Sequence, residues 1–251
     1  MNTVLEVQEL EKNFNGVRAL ADFSCTVQAG EILGIIGPNG AGKTTFFNIV
    51  TGFVACERGR VAFKGKEITR IPPYRITNLG ISRTFQNLRL IRQISVLDNV
   101  LLAFQQQPGE KLRNVFFNLR RCQEKENENR KEAMALLEET GLAEMTNNPA
   151  EELSYGQQKL LSFVCCLATK SQVLLLDEPV AGIAPETTDR IIATIRRLPS
   201  AGKSVVLIEH NFDAVMKVCD RVIFMDAGAK VSEGTPGEVR NDPRVIDAYM
   251  D

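Results

Sequence analysis

Short runs that alternate apolar and polar residues open the chain: Val4-Leu5-Glu6-Val7, Phe23-Ser24-Cys25-Thr26-Val27 and Gly59-Arg60-Val61-Ala62-Phe63. A period of two sends every second side chain to one face, so these segments predict strands with one covered face, some paired in antiparallel hairpins. Ile32-Leu33-Gly34-Ile35-Ile36 is apolar throughout, the pattern of a central parallel strand with helices on both faces. It runs straight into a glycine-rich stretch. Over about residues 87–141 the period lengthens. Leu97, Val100, Leu101 and Phe104 share a helical face, Gln105-Gln106-Gln107-Pro108-Gly109 interrupts, and EKENENRKEAMALLEETG ends at Gly141. The mixed-sign charges of that last segment read as the solvated face of a structural helix rather than a nucleic-acid contact. Strands and helices then alternate again. Val173-Leu174-Leu175-Leu176 and Ser204-Val205-Val206-Leu207-Ile208 are expected buried strands, and Arg221-Val222-Ile223-Phe224-Met225 enters a hairpin at Asp226-Ala227-Gly228. The pattern predicts an α/β fold: a parallel-sheet core, an N-terminal antiparallel β subdomain and an inserted α-helical subdomain. We place one domain over 1–251, with 1–86 and 166–251 as the α/β core and 87–165 as the helical insert.

Composition narrows the class. Of 251 residues, 44% are hydrophobic and 24% charged, as in an ordinary globular protein able to bury a core. Thirty basic and 31 acidic residues leave a formal charge of -1, so nothing points to a nucleic acid as main partner. Cys25, Cys56, Cys122, Cys165, Cys166 and Cys219 form no CxxC pair and no metal-ligand spacing, which predicts reduced thiols and a cytosolic address. The N-terminus MNTVLEVQELEKNF is polar where a secretory signal needs an apolar core, so no export signal is expected. The longest apolar stretches, residues 32–36 and 163–168, fall far short of the roughly 20 residues of a spanning helix. A membrane role therefore requires a partner.

The glycine-rich stretch carries the chemistry. Gly37-Pro38-Asn39-Gly40-Ala41-Gly42-Lys43-Thr44 is a complete GxxxxGK[ST] loop behind an apolar strand, the P-loop that cradles a nucleotide triphosphate. Glycines let successive backbone N–H groups turn inward, and the helix that follows adds its positive end. Lys43 is expected on the β- and γ-phosphates, the Thr44 hydroxyl on Mg²⁺, and Thr45 on a further phosphate oxygen. The later strand ends in Asp177-Glu178. Alone, two acids at a strand end are surface decoration. With the loop, Asp177 can hold Mg²⁺ through water and Glu178 can take a proton from the attacking water.

Leu153-Ser154-Tyr155-Gly156-Gln157-Gln158 precedes an apolar helix, with Ser154 and Gln157 spaced as a capping box. A helix start with serine and glycine is also a second anion site. At this point the sequence resembles the ABC ATPase family, in which an LSGGQ-type segment of one subunit closes on the γ-phosphate held by another. The resemblance implies that Ser154, Tyr155, Gly156 and Gln157 act in trans. It also matches Phe14 to the aromatic that stacks on adenine, Gln86 to the glutamine linking metal and attacking water to a membrane partner, and His210 to the switch histidine. On the residues alone, Phe14 is equally a core aromatic, Gln86 a polar loop residue, and His210 a structural histidine, although it is the one histidine of the chain.

Two positions depart from the family pattern. Tyr155 replaces a glycine of LSGGQ, and Ala184 in Pro179-Val180-Ala181-Gly182-Ile183-Ala184-Pro185 stands where an aspartate is general, implying weaker coupling between paired ATP sites. These variants, Pro72-Pro73-Tyr74-Arg75-Ile76 leading to Gln86, and the tail from Glu233-Gly234-Thr235-Pro236 to Val245-Ile246-Asp247-Ala248-Tyr249 are similar to one branch. It comprises the ATP-binding subunits of importers for branched-chain amino acids, with relatives that carry other amino acids, amides or urea. The branch implies ATP and Mg²⁺ as ligands and a second cassette, identical or paralogous, as a partner. It further implies permeases docked near Gln86, Leu88, Leu90 and Ile91, an extracytoplasmic solute-binding protein acting indirectly, and a peripheral place on the cytoplasmic face of the membrane. The competing reading is a soluble ABC ATPase acting on nucleic acid or ribosomes. The single cassette without a long coiled-coil insert weighs against it.

Overall fold

The computed structural model describes residues 2–105, 107–110, 118–210 and 212–250; Gln106, in the expected helix break, lies outside them. The chain begins with β1 (Thr3–Phe14), β2 (Val17–Gln28), β3 (Ile32–Ile36), α1 (Lys43–Val50), β4 (Arg58–Phe63), β5 (Lys66–Glu67), α2 (Pro73–Leu79) and β6 (Ile81–Arg83). Next come α3 (Val96–Ala103), α4 (Leu119–Thr140) and α5 (Tyr155–Ala168). It closes with β7 (Val173–Asp177), α6 (Pro185–Arg197), β8 (Ser204–Ile208), α7 (Phe212–Val218), β9 (Arg221–Asp226), β10 (Ala229–Gly234), α8 (Pro236–Arg240) and α9 (Pro243–Met250). Two compact units result. One comprises Met1–Arg83, Ser171–Ala181 and Ile192–Asp251; the other comprises Thr84–Lys170 and Gly182–Ile191. Residues 84–86 and 166–170, placed in the core by the sequence, thus group with the helices, as does the segment 182–191.

The first unit holds both sheets. The larger has the order β10-β9-β3-β8-β7-β6, parallel except for the β9–β10 hairpin. Every residue of β3, β7 and β8 is buried, as unbroken apolar runs dictate. β6 was not legible, because three residues are too few to show a period; it exists through its parallel pairing with β7, Ile81 to Val173 and Arg83 to Leu175. The smaller sheet, β2-β1-β4-β5, is antiparallel. β1 runs well past the Val4–Val7 alternation, because register shifts against β2 break the period beyond Val7, where Glu9 sits at φ 47.

α1 joins the two sheets in one core. Phe46, Phe47, Ile49 and Val50 are buried among Leu5, Phe23 and Val61 of one sheet and Leu33, Val206 and Ile223 of the other. Phe46 meets Phe23 edge-on at 5.1 Å. Each such side chain contributes about 1.5–3 kcal/mol of burial. That anchorage fixes the helix, and with it the loop that leads in.

The second unit is helical. Residues 87–95 form no helix, contrary to the pattern reading; α3 starts only where Ser95 Oγ accepts the Asp98 N–H as N-cap. Leu97, Val100 and Phe104 are buried as their spacing predicts. α4 buries Ala133 and Leu137 and stops at Gly141, which has the left-handed conformation of a helix end. Among the described residues no helix is long and apolar enough to cross a membrane. All six cysteines are free, and burial pushes the Cys25 and Cys165 thiols up to about 12.

Candidate functional site

β3 ends at Ile36, and Gly37 to Gly42 turn the chain into α1. Two glycines are required by sterics: a Cβ on Gly37 would lie 2.0 Å from the Met225 carbonyl oxygen, and one on Gly42, at φ 98, 2.3 Å from that of Ala19. The Ala227-Gly228 turn braces the loop, since Gly228 N–H donates to Ala41 O at 3.1 Å while Gly228 O accepts from Ala21 N–H at 2.9 Å. Gly42, the N-cap of α1, supplies no side-chain oxygen to the first-turn amides. Those donors and the helix dipole make an anion site. Lys43 is buried, and its Nζ donates to Gly37 O at 2.7 Å and Pro38 O at 2.8 Å. Burial lowers its pKa, against the opposing pull of Glu178 and Asp177. Thr44 is exposed and Thr45 half-buried beside it; Pro38 is half-buried, Asn39 and Gly40 exposed, Ala41 buried.

Asp177 closes β7 in a buried ion pair. Arg83 on β6 donates from Nη2 to Asp177 Oδ2 at 2.9 Å and from Nη1 to Asn48 Oδ1 at 2.6 Å, with its guanidinium 5.4 Å from the Phe47 ring centre. Burial nonetheless pushes the Asp177 carboxyl up, with Arg83 opposing. Glu178 follows at φ 48, a left-handed conformation that costs a non-glycine residue on the order of 1–3 kcal/mol and persists only when its surroundings impose it. Its Oε1 lies 2.7 Å from His210 Nε2. An ionised carboxylate only accepts, so in this pairing the imidazole donates from Nε2. Parallel register explains the meeting: Asp177 stands opposite Ile208, so the residues just past each strand end are neighbours. The next residue, Glu209, is buried and accepts the Val180 N–H at 3.0 Å. Lys43, Asp177, Glu178 and His210 thus gather at the ends of β3, β7 and β8. The Thr44 hydroxyl and the Asp177 carboxylate are hard oxygen donors of the kind Mg²⁺ takes.

Phe14 is no core residue; it is 44% exposed at the end of β1, with the Lys12 ammonium 5.1 Å from its ring centre. The remaining expected site residues belong to the second unit. Gln86 is exposed and lines a cavity of about 360 Å³ with Leu88, Leu90, Tyr155 and Gln158, while Ile91 is exposed nearby in sequence. Ser154 caps α5 reciprocally: its Oγ accepts the Gln157 N–H at 3.3 Å, and its own N–H donates to Gln157 Oε1 at 2.9 Å. Tyr155 is exposed, and Gly156 leaves room for Ile183, whose Cγ2 would lie 3.4 Å from an added Cβ. Ala184 is exposed, its side chain carries no polar atom, and its carbonyl accepts from Thr188 N–H at 3.0 Å.

Residues 20–181 match the family model described as ABC transporter, and residues 229–250 match that of the branched-chain amino acid ATP-binding cassette transporter. The chain belongs to the ABC transporter family. This cassette is 37% identical over 248 residues to the high-affinity branched-chain amino acid transport ATP-binding protein BraF of Pseudomonas aeruginosa, covering 98% of this chain and 97% of that protein. It is 36% identical over 250 residues to the protein of the same description, LivG, of Escherichia coli, with the same coverage. Among solved structures, a nucleotide-free ATP-binding cassette from an ABC transporter superposes with a TM-score of 0.85 at 33% identity over 99% of both chains. An ADP-bound cassette gives 0.84 at 32%, covering 100% of this chain and 99% of that one. The cassette is an ATPase with the α/β P-loop fold read from its sequence. The alternative of an ATPase working on nucleic acid or ribosomes finds no support in these relatives.

Sequence reasoning missed two charged residues of this cassette. Arg83 sits in a strand too short to read, and its only signal was an arginine two residues after Ile81, a charge that burial would oblige to find a partner. Glu209 ends an apolar run and reads as a residue leaving the core; it is instead 1% exposed.

Proposed function

We propose that this cassette energises uptake of branched-chain amino acids, working peripherally on the cytoplasmic face of a membrane through permease subunits that a solute-binding protein serves from the other side. The near-full-length likeness to two branched-chain transport ATP-binding proteins carries the solute class. For hydrolysis the supporting observation is the 2.7 Å pairing of Glu178 with His210 beside a complete phosphate loop. In this reading Phe14 stacks on adenine, the backbone from Gly37 to Gly42 with Lys43, Thr44 and Thr45 holds the phosphates, and Glu178 accepts the proton of the attacking water. His210 orients that carboxylate and the water. Thr44 and, through water, Asp177 would hold Mg²⁺, which when bound neutralises phosphate charge. A second cassette, identical or paralogous, supplies Ser154, Tyr155, Gly156 and Gln157 across the nucleotide. The cavity beside Gln86, with Leu88 and Leu90 on its wall, receives a permease segment.

Uptake of radiolabelled leucine, isoleucine and valine by cells deleted for the endogenous ATPase tests the proposal. This chain with its own permeases should restore it. Restoration by a Leu88→Glu variant that also still co-purifies with the permeases would overturn the assigned dock, and failure of the unaltered chain on all three solutes would overturn the solute class.

A further inference from the structure

Glu209 is a buried carboxylate that the reaction outlined above does not use. It lies in a run of three residues that all engage the loop after β7. Ile208 O accepts the Glu178 N–H at 2.9 Å, Glu209 Oε1 accepts the Val180 N–H at 3.0 Å, and His210 Nε2 meets Glu178 Oε1 at 2.7 Å. Between the first and second of these bonds the backbone passes through the left-handed conformation of Glu178, at φ 48. A strained non-glycine residue relaxes unless its neighbours are held on both sides. The Ile208 carbonyl holds the near side. We infer that Glu209 is a positioning residue that holds the far side: by accepting the Val180 N–H it fixes the turn that points the Glu178 carboxylate at His210.

The choice of residue follows from the chemistry. A buried backbone N–H requires an acceptor. β8 ends at Ile208, so beyond it the backbone no longer offers carbonyls in register with the loop, and a side-chain oxygen has to reach across. A carboxyl oxygen on a side chain long enough to cross the gap supplies that acceptor. The Glu178–His210 contact then depends on a residue that touches neither the nucleotide nor the water.

This inference rests on Glu178 being the general base, but its geometric half can be measured without turnover. Steady-state ATP hydrolysis, binding of a fluorescent ATP analogue and amide hydrogen exchange over residues 178–181 are compared for the full chain, Glu209→Ala and Glu209→Gln. The glutamine keeps a carbonyl acceptor. In Glu209→Ala, kcat should fall on the order of 10- to 100-fold, as for a sub-ångström to ångström displacement of a reacting group, with KM and analogue affinity within about twofold. Exchange at Val180 should accelerate in step, and Glu209→Gln should recover most of both. Unchanged exchange at Val180 in Glu209→Ala overturns the positioning role whatever the kinetics. Parallel loss of analogue affinity and kcat, or a Glu209→Gln variant as impaired as Glu209→Ala, overturns it too. Accelerated exchange at Val180 combined with unaltered kcat would instead leave the clamp in place and count against Glu178 as the base.

Discussion

Two helix starts in this cassette are finished differently. α1 begins at Gly42, which has no side chain to give to the first-turn amides, behind a loop shaped by glycines that Met225 and Ala19 crowd. α5 begins at Ser154, whose hydroxyl and the Gln157 amide satisfy each other's backbone in a closed capping box. A helix end closed by its own side chains is stable without a ligand, whereas one with bare amides gains most when an anion arrives. The difference fits the division of labour proposed here. In that proposal the first end binds nucleotide by itself, and the second, already folded, is pressed onto a nucleotide held by a second cassette.

Four substitutions would sharpen or break that contrast. The largest effect should come at the hydrolytic centre beside the first end: Glu178→Gln should lower steady-state ATP hydrolysis by about 10²–10⁴-fold while retaining nucleotide, measured by phosphate release against analogue binding. A variant that hydrolyses normally removes Glu178 from the role of base. Next, Arg83→Met breaks the buried ion pair with Asp177 and should cost about 3–5 kcal/mol in urea unfolding. Its pH dependence has a definite sign. Burial already raises the Asp177 carboxyl, and losing Arg83 raises it further. A raised acid costs the fold stability as pH climbs from the ordinary carboxylate range to its folded value, so the defect should grow with rising pH. A pH-independent defect would show that Asp177 does not carry the charge.

Smaller effects separate the two ends directly. Lys43→Ala removes charge-assisted bonds to phosphate of about 1.5–3 kcal/mol each and should weaken ATP-analogue binding accordingly, read by fluorescence titration. Ser154→Ala should cost only about 1 kcal/mol of stability through the lost cap. It should also slow hydrolysis at chain concentrations that permit pairing, with analogue affinity of the isolated chain unmoved. Loss of affinity in Ser154→Ala equal to that in Lys43→Ala would erase the distinction between the ends.

How much of this was readable differs by feature. β3, β7 and β8 were legible because burial on both faces leaves no choice but unbroken apolar runs. The phosphate loop was legible because its backbone needs glycine at fixed points, and the capping box because its two side chains are three residues apart. Residues 87–95 misled because apolar spacing says nothing about where a helix starts; Ser95 decides that, and serine is common elsewhere. Arg83 with Asp177 and Glu209 with Val180 were invisible for a different reason. Each pair joins strand ends remote in sequence, and only parallel register brings them together.

The turn at Gly228 has a consequence for biosynthesis. The phosphate loop lies far ahead of its brace in sequence, since Met225 crowds Gly37 and Gly228 holds Ala41. Chains fold from the N-terminus as they are made, so the loop emerges long before its brace. The loop is therefore expected to gain its brace only after residue 228 has been made: a ribosome-bound chain stopped before Met225 should fail to retain a fluorescent ATP analogue that the chain through Asp251 holds.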